Sequence, residues 1–218
     1  MNRMPSPGFR GSVLLLMLYA AVLSALPWRL PKAQLLALFA ENGPVENLSV
    51  IAWLLLALLC LLHVLRWPRL MLPAMLTALL GAAREQDLQN AITGVNLFRL
   101  KWYLTADAPL GLKLVAGVTL MLIVALLLHM LLLAAQAYRQ RDTRRQQWAW
   151  TLLLALAVAA ASLGLDKTQA LVHDATGHWL HERASLWVKA LEEGLELALP
   201  LVFASALLQA RRMRRSAW

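Results

Sequence analysis

Cysteine is nearly missing from this 218-residue chain: Cys60 is the only one. A lone cysteine makes no intrachain disulfide, and without a Cys-x-x-Cys pair neither redox work nor a thiolate zinc site follows. It lies in an apolar run, where it reads as a small buried hydrophobe. Charge is scarce too, at 15% of residues, against about 25% in soluble domains. The chain has no internal repeat, no low-complexity segment and no glycine-rich phosphate loop. It has neither Gly-x-Ser-x-Gly nor His-Glu-x-x-His, which removes the motif-bearing intramembrane proteases.

What fills the space is apolar: 60% of residues, with a mean hydropathy of +0.59. The excess comes in long runs, so the bilayer is the solvent the sequence addresses. A helix needs about 20 residues to cross roughly 30 Å of hydrocarbon. Runs near 11–27, 45–65, 70–89, 112–136, 148–166 and 186–209 qualify. The reading is all-α: one membrane domain over 1–218, a polytopic transmembrane helical bundle of about six spans. The first run follows Arg3 and Arg10, and Ser24-Ala25 mimics a cleavage site. With further spans behind it, a retained signal anchor is expected. Between spans one and two, the apolar piece Ala33 to Ala40 is expected along the interface. The stretch 90–111 is the longest connection of mixed character.

Arginine sets the orientation. With the N-terminus inside, the cytoplasmic segments hold Arg3, Arg10, Arg66, Arg69, Arg139, Arg141, Arg144, Arg145, Arg211, Arg212, Arg214 and Arg215, against the single acid Asp142. The opposite side keeps every other acid. This is positive-inside asymmetry, and it predicts both ends in the cytoplasm of a bacterial-type inner membrane. Tryptophan agrees: all but Trp53 of the nine fall near predicted span ends, where the amphipathic ring is favoured. The net charge of +9 is therefore a loop property, and the expected partner is the lipid bilayer, with no nucleic acid.

The acids then gather on or beneath the periplasmic surface. Pro44 suits a first helical position and places Glu46 near the third, where a carboxylate complements the helix dipole. That role leaves Asn47 and Ser49, which carry polarity into the span, unexplained. In Ala83-Arg84-Glu85-Gln86-Asp87, Arg84 and Asp87 are spaced to pair on one helix face. Glu85, turned about 100° from Arg84, is free to address a ligand or metal. In the last span, Lys189, Glu192 and Glu196 share a stripe, with Glu193 within reach of Glu196. Carboxylates so close require cations, a shared proton or a metal. Pro200 removes the usual donor to the Glu196 carbonyl, which favours a kink. A broken, acidic intramembrane helix is a functional-site hypothesis.

A histidine group follows Asp166, itself read as a helix cap with Gln169. Drawn as a helix, this loop buries Val172, Ala175 and Trp179 and shows His173, His178 and His181 on the other side. Asp174, His178 and His181 then have a workable spacing for a divalent metal, with His173 beside them. The bland counterpart is an interfacial amphipathic helix with a wet polar side, weakened by Gly177. His63 and His129, far from the acids, read as packed or hydrogen-bonded residues. Arg99, Lys101, Trp102, Tyr103 and Lys113 break the positive-inside pattern. They either neutralise the acids or hold a lipid phosphate beside an aromatic platform.

Gly43-Pro44-Val45-Glu46, Arg84-Glu85-Gln86-Asp87 and Glu192-Glu193-Gly194-Leu195-Glu196-Leu197 resemble the recurring marks of a group of uncharacterised small polytopic bacterial inner-membrane proteins. The similarity covers 39 to about 209 and implies no activity. The alkaline-ceramidase and adiponectin-receptor-like hydrolases are similar only in general character, because their Ser-x-x-x-His and His-x-x-x-His zinc set is missing. Three functions remain. One is a metal-assisted hydrolase or transferase on a lipid-linked substrate, with Glu46, Glu85, Asp87, Glu192, Glu193 and Glu196 as ligands or acid/base groups. Another is a proton- or cation-coupled binding or transport protein. The last is a non-catalytic assembly factor locked together by its charges.

Overall fold

Among the described residues, proline and glycine punctuate the apolar runs into seven helices in the computed structural model. The structure describes residues 7–88, 109–139 and 143–215, and every regular element among them is an α-helix. Helix α1 (Pro7–Arg29) starts on a proline and stops just before Pro31. Helix α2 (Lys32–Leu38) follows at once. The turn before α3 (Pro44–Leu61) puts Asn42 in left-handed backbone, φ 58°. Gly43 is needed there, since a Cβ would sit 2.6 Å from the Ala40 carbonyl oxygen. Helix α4 (Pro68–Glu85) again opens on proline, a residue whose missing N–H costs nothing in a first turn. Then come α5 (Leu110–Arg139), α6 (Thr143–Thr176) and α7 (Glu182–Arg215).

By length and composition, Gly8–Arg29, Pro44–Leu61, Leu110–Leu133 and Gln147–Thr176 are apolar enough to cross a membrane. These are the first, second, fourth and fifth of the expected spans. The third and sixth are present as helices α4 and α7 without meeting that measure. Helix α7 carries Lys189, Glu192, Glu193 and Glu196, and α4 carries arginine near both ends. The fifth and sixth runs are longer than their apolar stretches. At 34 residues each, α6 and α7 reach about 51 Å, more than a bilayer's hydrocarbon.

Two compact units emerge: Trp53–Leu133, and the remainder, which joins residues up to Ala52 to those from Ala134 onward. In the latter, α6 and α7 form the most extensive pair, α1 packs on both, and α2 touches α1 and α7. Leu23, Leu35, Phe39, Ala190 and Leu191 make a buried cluster, with Tyr19, Val45, Leu165 and Leu186 packed around it. The piece expected along the interface is thus anchored by one face, since Leu35 and Phe39 point into this core. Leu14, Leu15, Met17, Leu18 and Val22 of α1 remain exposed, an apolar flank suited to lipid.

The Trp53–Leu133 unit is built on small residues. Ala74, Ala78 and Ala82 form a buried stripe on α4. Beside it, a Cβ on Gly81 would lie 2.6 Å from the Trp53 ring, so the indole seats directly on glycine backbone. Cys60 is fully buried, the packing role its surroundings imply.

Candidate functional site: an acidic centre on the last helix

Glu196 is the most deeply placed acid of α7. It is buried, and its Oε1 accepts a hydrogen bond from Ser162 Oγ of α6 at 3.0 Å, itself a buried contact. One turn later Pro200, also fully buried, deprives the Glu196 carbonyl of its regular donor. Just before Glu196, Gly194 lets α1 come close: a Cβ there would meet Leu23 Cδ1 at less than any real contact distance. The acidic turn of α7 is therefore clamped between α6 and α1.

Glu193 is half-buried on the same turn. The charges of Glu196, Glu192 and Glu46 act on it, and Lys189 is the opposing cation. Glu46 comes from α3. Thus the charge of one further acidic segment, the start of α3, reaches the acidic turn of α7. Glu46 also serves its ordinary role, because its Oε2 accepts the Asn42 backbone N–H at 2.5 Å and Asn47 Nδ2 donates to the Asn42 carbonyl at 2.9 Å. Ser49 lies one turn along α3. It is fully buried, and among the described residues its Oγ has no hydrogen-bond partner.

Glu85 and Asp87 belong to the other unit. The Glu85 carboxylate is 2% exposed, with Arg84 Nη1 at 3.3 Å. The one helix face expected to carry both Arg84 and Asp87 does not extend to Asp87. Helix α4 ends at Glu85, and Asp87 sits beyond it in left-handed backbone, φ 46°.

The histidine segment also departs from expectation. Asp166 is no cap: it lies inside α6, which runs on to Thr176, and it pairs with Lys167. Gly177 then turns the chain with φ 72°, so Asp174, His178 and His181 do not share one helix and their metal spacing is lost. His173 stacks on Trp179 at 4.1 Å between centroids, and its Nδ1 is 3.9 Å from Asp174 Oδ1. His181 Nδ1 accepts from the Arg183 backbone N–H at 3.4 Å. Trp179, expected to be buried, is 66% exposed. Among the described residues no three His, Cys, Asp or Glu side chains gather to hold a metal ion. His63 donates from Nδ1 to the Leu59 carbonyl at 2.8 Å, a satisfied packed residue as read. Of the outer basic group, Arg99, Lys101, Trp102 and Tyr103 lie outside the described residues, and Lys113 is in α5.

Sequence reading missed a second polar group on the same three helices. Ser12 of α1 and Ser205 of α7 share a hydrogen bond of 3.0 Å. Gln209 Nε2 donates to Ser205 Oγ at 3.3 Å, and Thr151 Oγ1 of α6 donates to Gln209 Oε1 at 2.8 Å. Thr151, Ala155 and Ser162 are small residues on one buried stripe of α6, a pattern that marks helix contacts in membranes. Compared with known proteins, the chain matches no family model, no curated sequence and no solved structure.

Proposed function

We propose that this is a six-span, N-in/C-in protein of a bacterial inner membrane that acts in proton- or cation-coupled binding or transport through the α7 carboxylate centre. The carrying observation is the buried Glu196 carboxylate held by Ser162 on a proline-containing helix, next to Glu193, on which the charges of Glu192, Glu196 and Glu46 act. Intramembrane acids that face a bundle interior commonly carry protons or ions, and broken helices are frequent hosts for such sites. The orientation is supported by the arginine distribution. The coupled role gains support from polar residues in both halves of the α1–α6–α7 trio, at Glu196–Ser162 and at Ser12–Ser205–Gln209–Thr151. A metal-assisted hydrolase or transferase on a lipid-linked substrate has less support, since its ligands must converge and no such trio occurs among the described residues.

Reconstitution in liposomes tests the reading. An imposed pH or cation gradient should drive ion movement that falls at least tenfold in Glu196→Gln at equal protein incorporation. Equal flux in the variant, or none in the wild type, sinks the coupled role.

A further inference from the structure

We propose that the junction between the end of α1 and the start of α7 binds the phosphate of an anionic membrane phospholipid, with Arg183 and Arg29 as its cations and Trp28 as its aromatic platform. This surface lies apart from the carboxylate centre and does not rest on it. Trp28 and Arg29 are the last two residues of α1, a helix long and apolar enough to cross a membrane. The end of a span lies at headgroup level, where a tryptophan ring is favoured. Trp28 is 70% exposed, and Arg183 of α7 places its guanidinium over the ring, 5.3 Å from the centroid. That contact holds the cation beside the indole and leaves the N–H donors of the guanidinium for another partner.

Charge selects the occupant. The acid beside Arg183, Glu182, is already held by Lys32 of α2. Among the described residues neither Arg183 nor Arg29 has an ion-pair partner, and both are exposed. Three cations, Arg29, Lys32 and Arg183, thus stand against the one carboxylate of Glu182. A zwitterionic headgroup brings its own cation to the phosphate, whereas an anionic one leaves that place to the protein. Guanidinium donors in a planar fork match phosphate oxygens. Trp187 supplies the apolar part of the fit. It lies four residues after Arg183, on the same face of α7, and is also exposed. The contacts Trp28–Arg183, Leu23–Gly194 and Ser12–Ser205 run α7 antiparallel to α1. Trp187 is therefore about 6 Å deeper than Arg183, at the level of a lipid's glycerol and first acyl carbons. A soluble phosphate would use the arginines and leave this indole idle.

Native mass spectrometry of the purified full chain, after exposure in detergent to equal phosphatidylglycerol and phosphatidylcholine, tests this. The wild type should retain phosphatidylglycerol in preference. That preference should fall about fivefold in Arg183→Gln, the worth of one basic residue beside an anionic lipid surface. Arg10→Gln, the same charge change at the other end of α1, should leave it intact. Trp28→Leu keeps every charge and should also lower the retained phosphatidylglycerol, which serves as the test should Arg183→Gln fold poorly. Equal retention of the two lipids by the wild type overturns the site. So does an equal fall in Arg10→Gln, or unchanged retention in both Arg183→Gln and Trp28→Leu. Displacement of the lipid by millimolar inorganic phosphate would assign the arginines to a soluble anion and overturn the lipid as occupant.

Discussion

The α1–α6–α7 trio is held together differently in its two halves. Around Thr151 the groups are neutral and satisfy one another, with Ser12, Ser205 and Gln209 linking three helices through their side chains. Around Glu196 the same helices close through packing, with Leu23 set against the bare backbone of Gly194, and the polar residues are carboxylates whose charges act on one another. A neutral network saturates and can rest. The first half thus behaves as a fastening, and the second is the half in which the proposed coupled role would reside.

The largest expected effect follows from the packing half. Gly194→Ala places a methyl group into the Leu23 side chain. Overpacking of this kind costs about 1–3 kcal/mol, read as a lower melting temperature in detergent. Leu23→Ala in the same chain should restore part of the loss, because it vacates the space the methyl needs. If Gly194→Ala is as stable as the wild type, the close approach of α1 to α7 is not what clamps the acidic turn.

A smaller effect belongs to the fastening. Thr151→Val keeps the shape and removes the donor to Gln209 Oε1. Hydrogen bonds between helices in membranes average about 0.6 kcal/mol, so the loss should be of that order. Ion movement in liposomes should remain that of the wild type. A variant that keeps its melting temperature but loses flux would reverse the comparison, making the neutral half part of the working path.

How much of this was open to sequence reasoning differs by half as well. The helices were legible because proline starts three of them and apolar runs fill them. Glu46, Glu193 and Glu196 were legible because an acid within such a run is conspicuous. Ser162, Ser12, Ser205 and Thr151 were not, because an isolated hydroxyl in an apolar run carries no periodic signal until its partner helix is known. The histidine segment failed for a different reason. Its metal spacing assumed a continuous helix, and Gly177 with φ 72° ends that helix between Asp174 and His178. The Asp166 cap failed because α6 is longer than its apolar part: helix continues through Lys167, Thr168 and Gln169, with Gln169 donating to Ser185 Oγ at 2.9 Å across the hairpin.

The smallest effect lies at the exposed start of α7, outside the apolar run. Lys32 of α2 pairs with Glu182, and the hydrogen bond and charge of that ammonium hold the Glu182 carboxyl below its usual range. A carboxyl whose value is depressed on folding contributes stability above its unfolded value, about 4.3 for glutamate, and loses it as pH falls through the lower folded value. Both side chains are exposed, so screening keeps the contribution small. Lys32→Ala should therefore lower the melting temperature slightly at neutral pH, less than Thr151→Val does, and the difference should vanish in strong acid or high salt. A gap that widens as the pH falls would mean that Lys32 acts on something other than the Glu182 carboxylate. The surface pair and the acids of the centre would then no longer be separate charge systems on one helix.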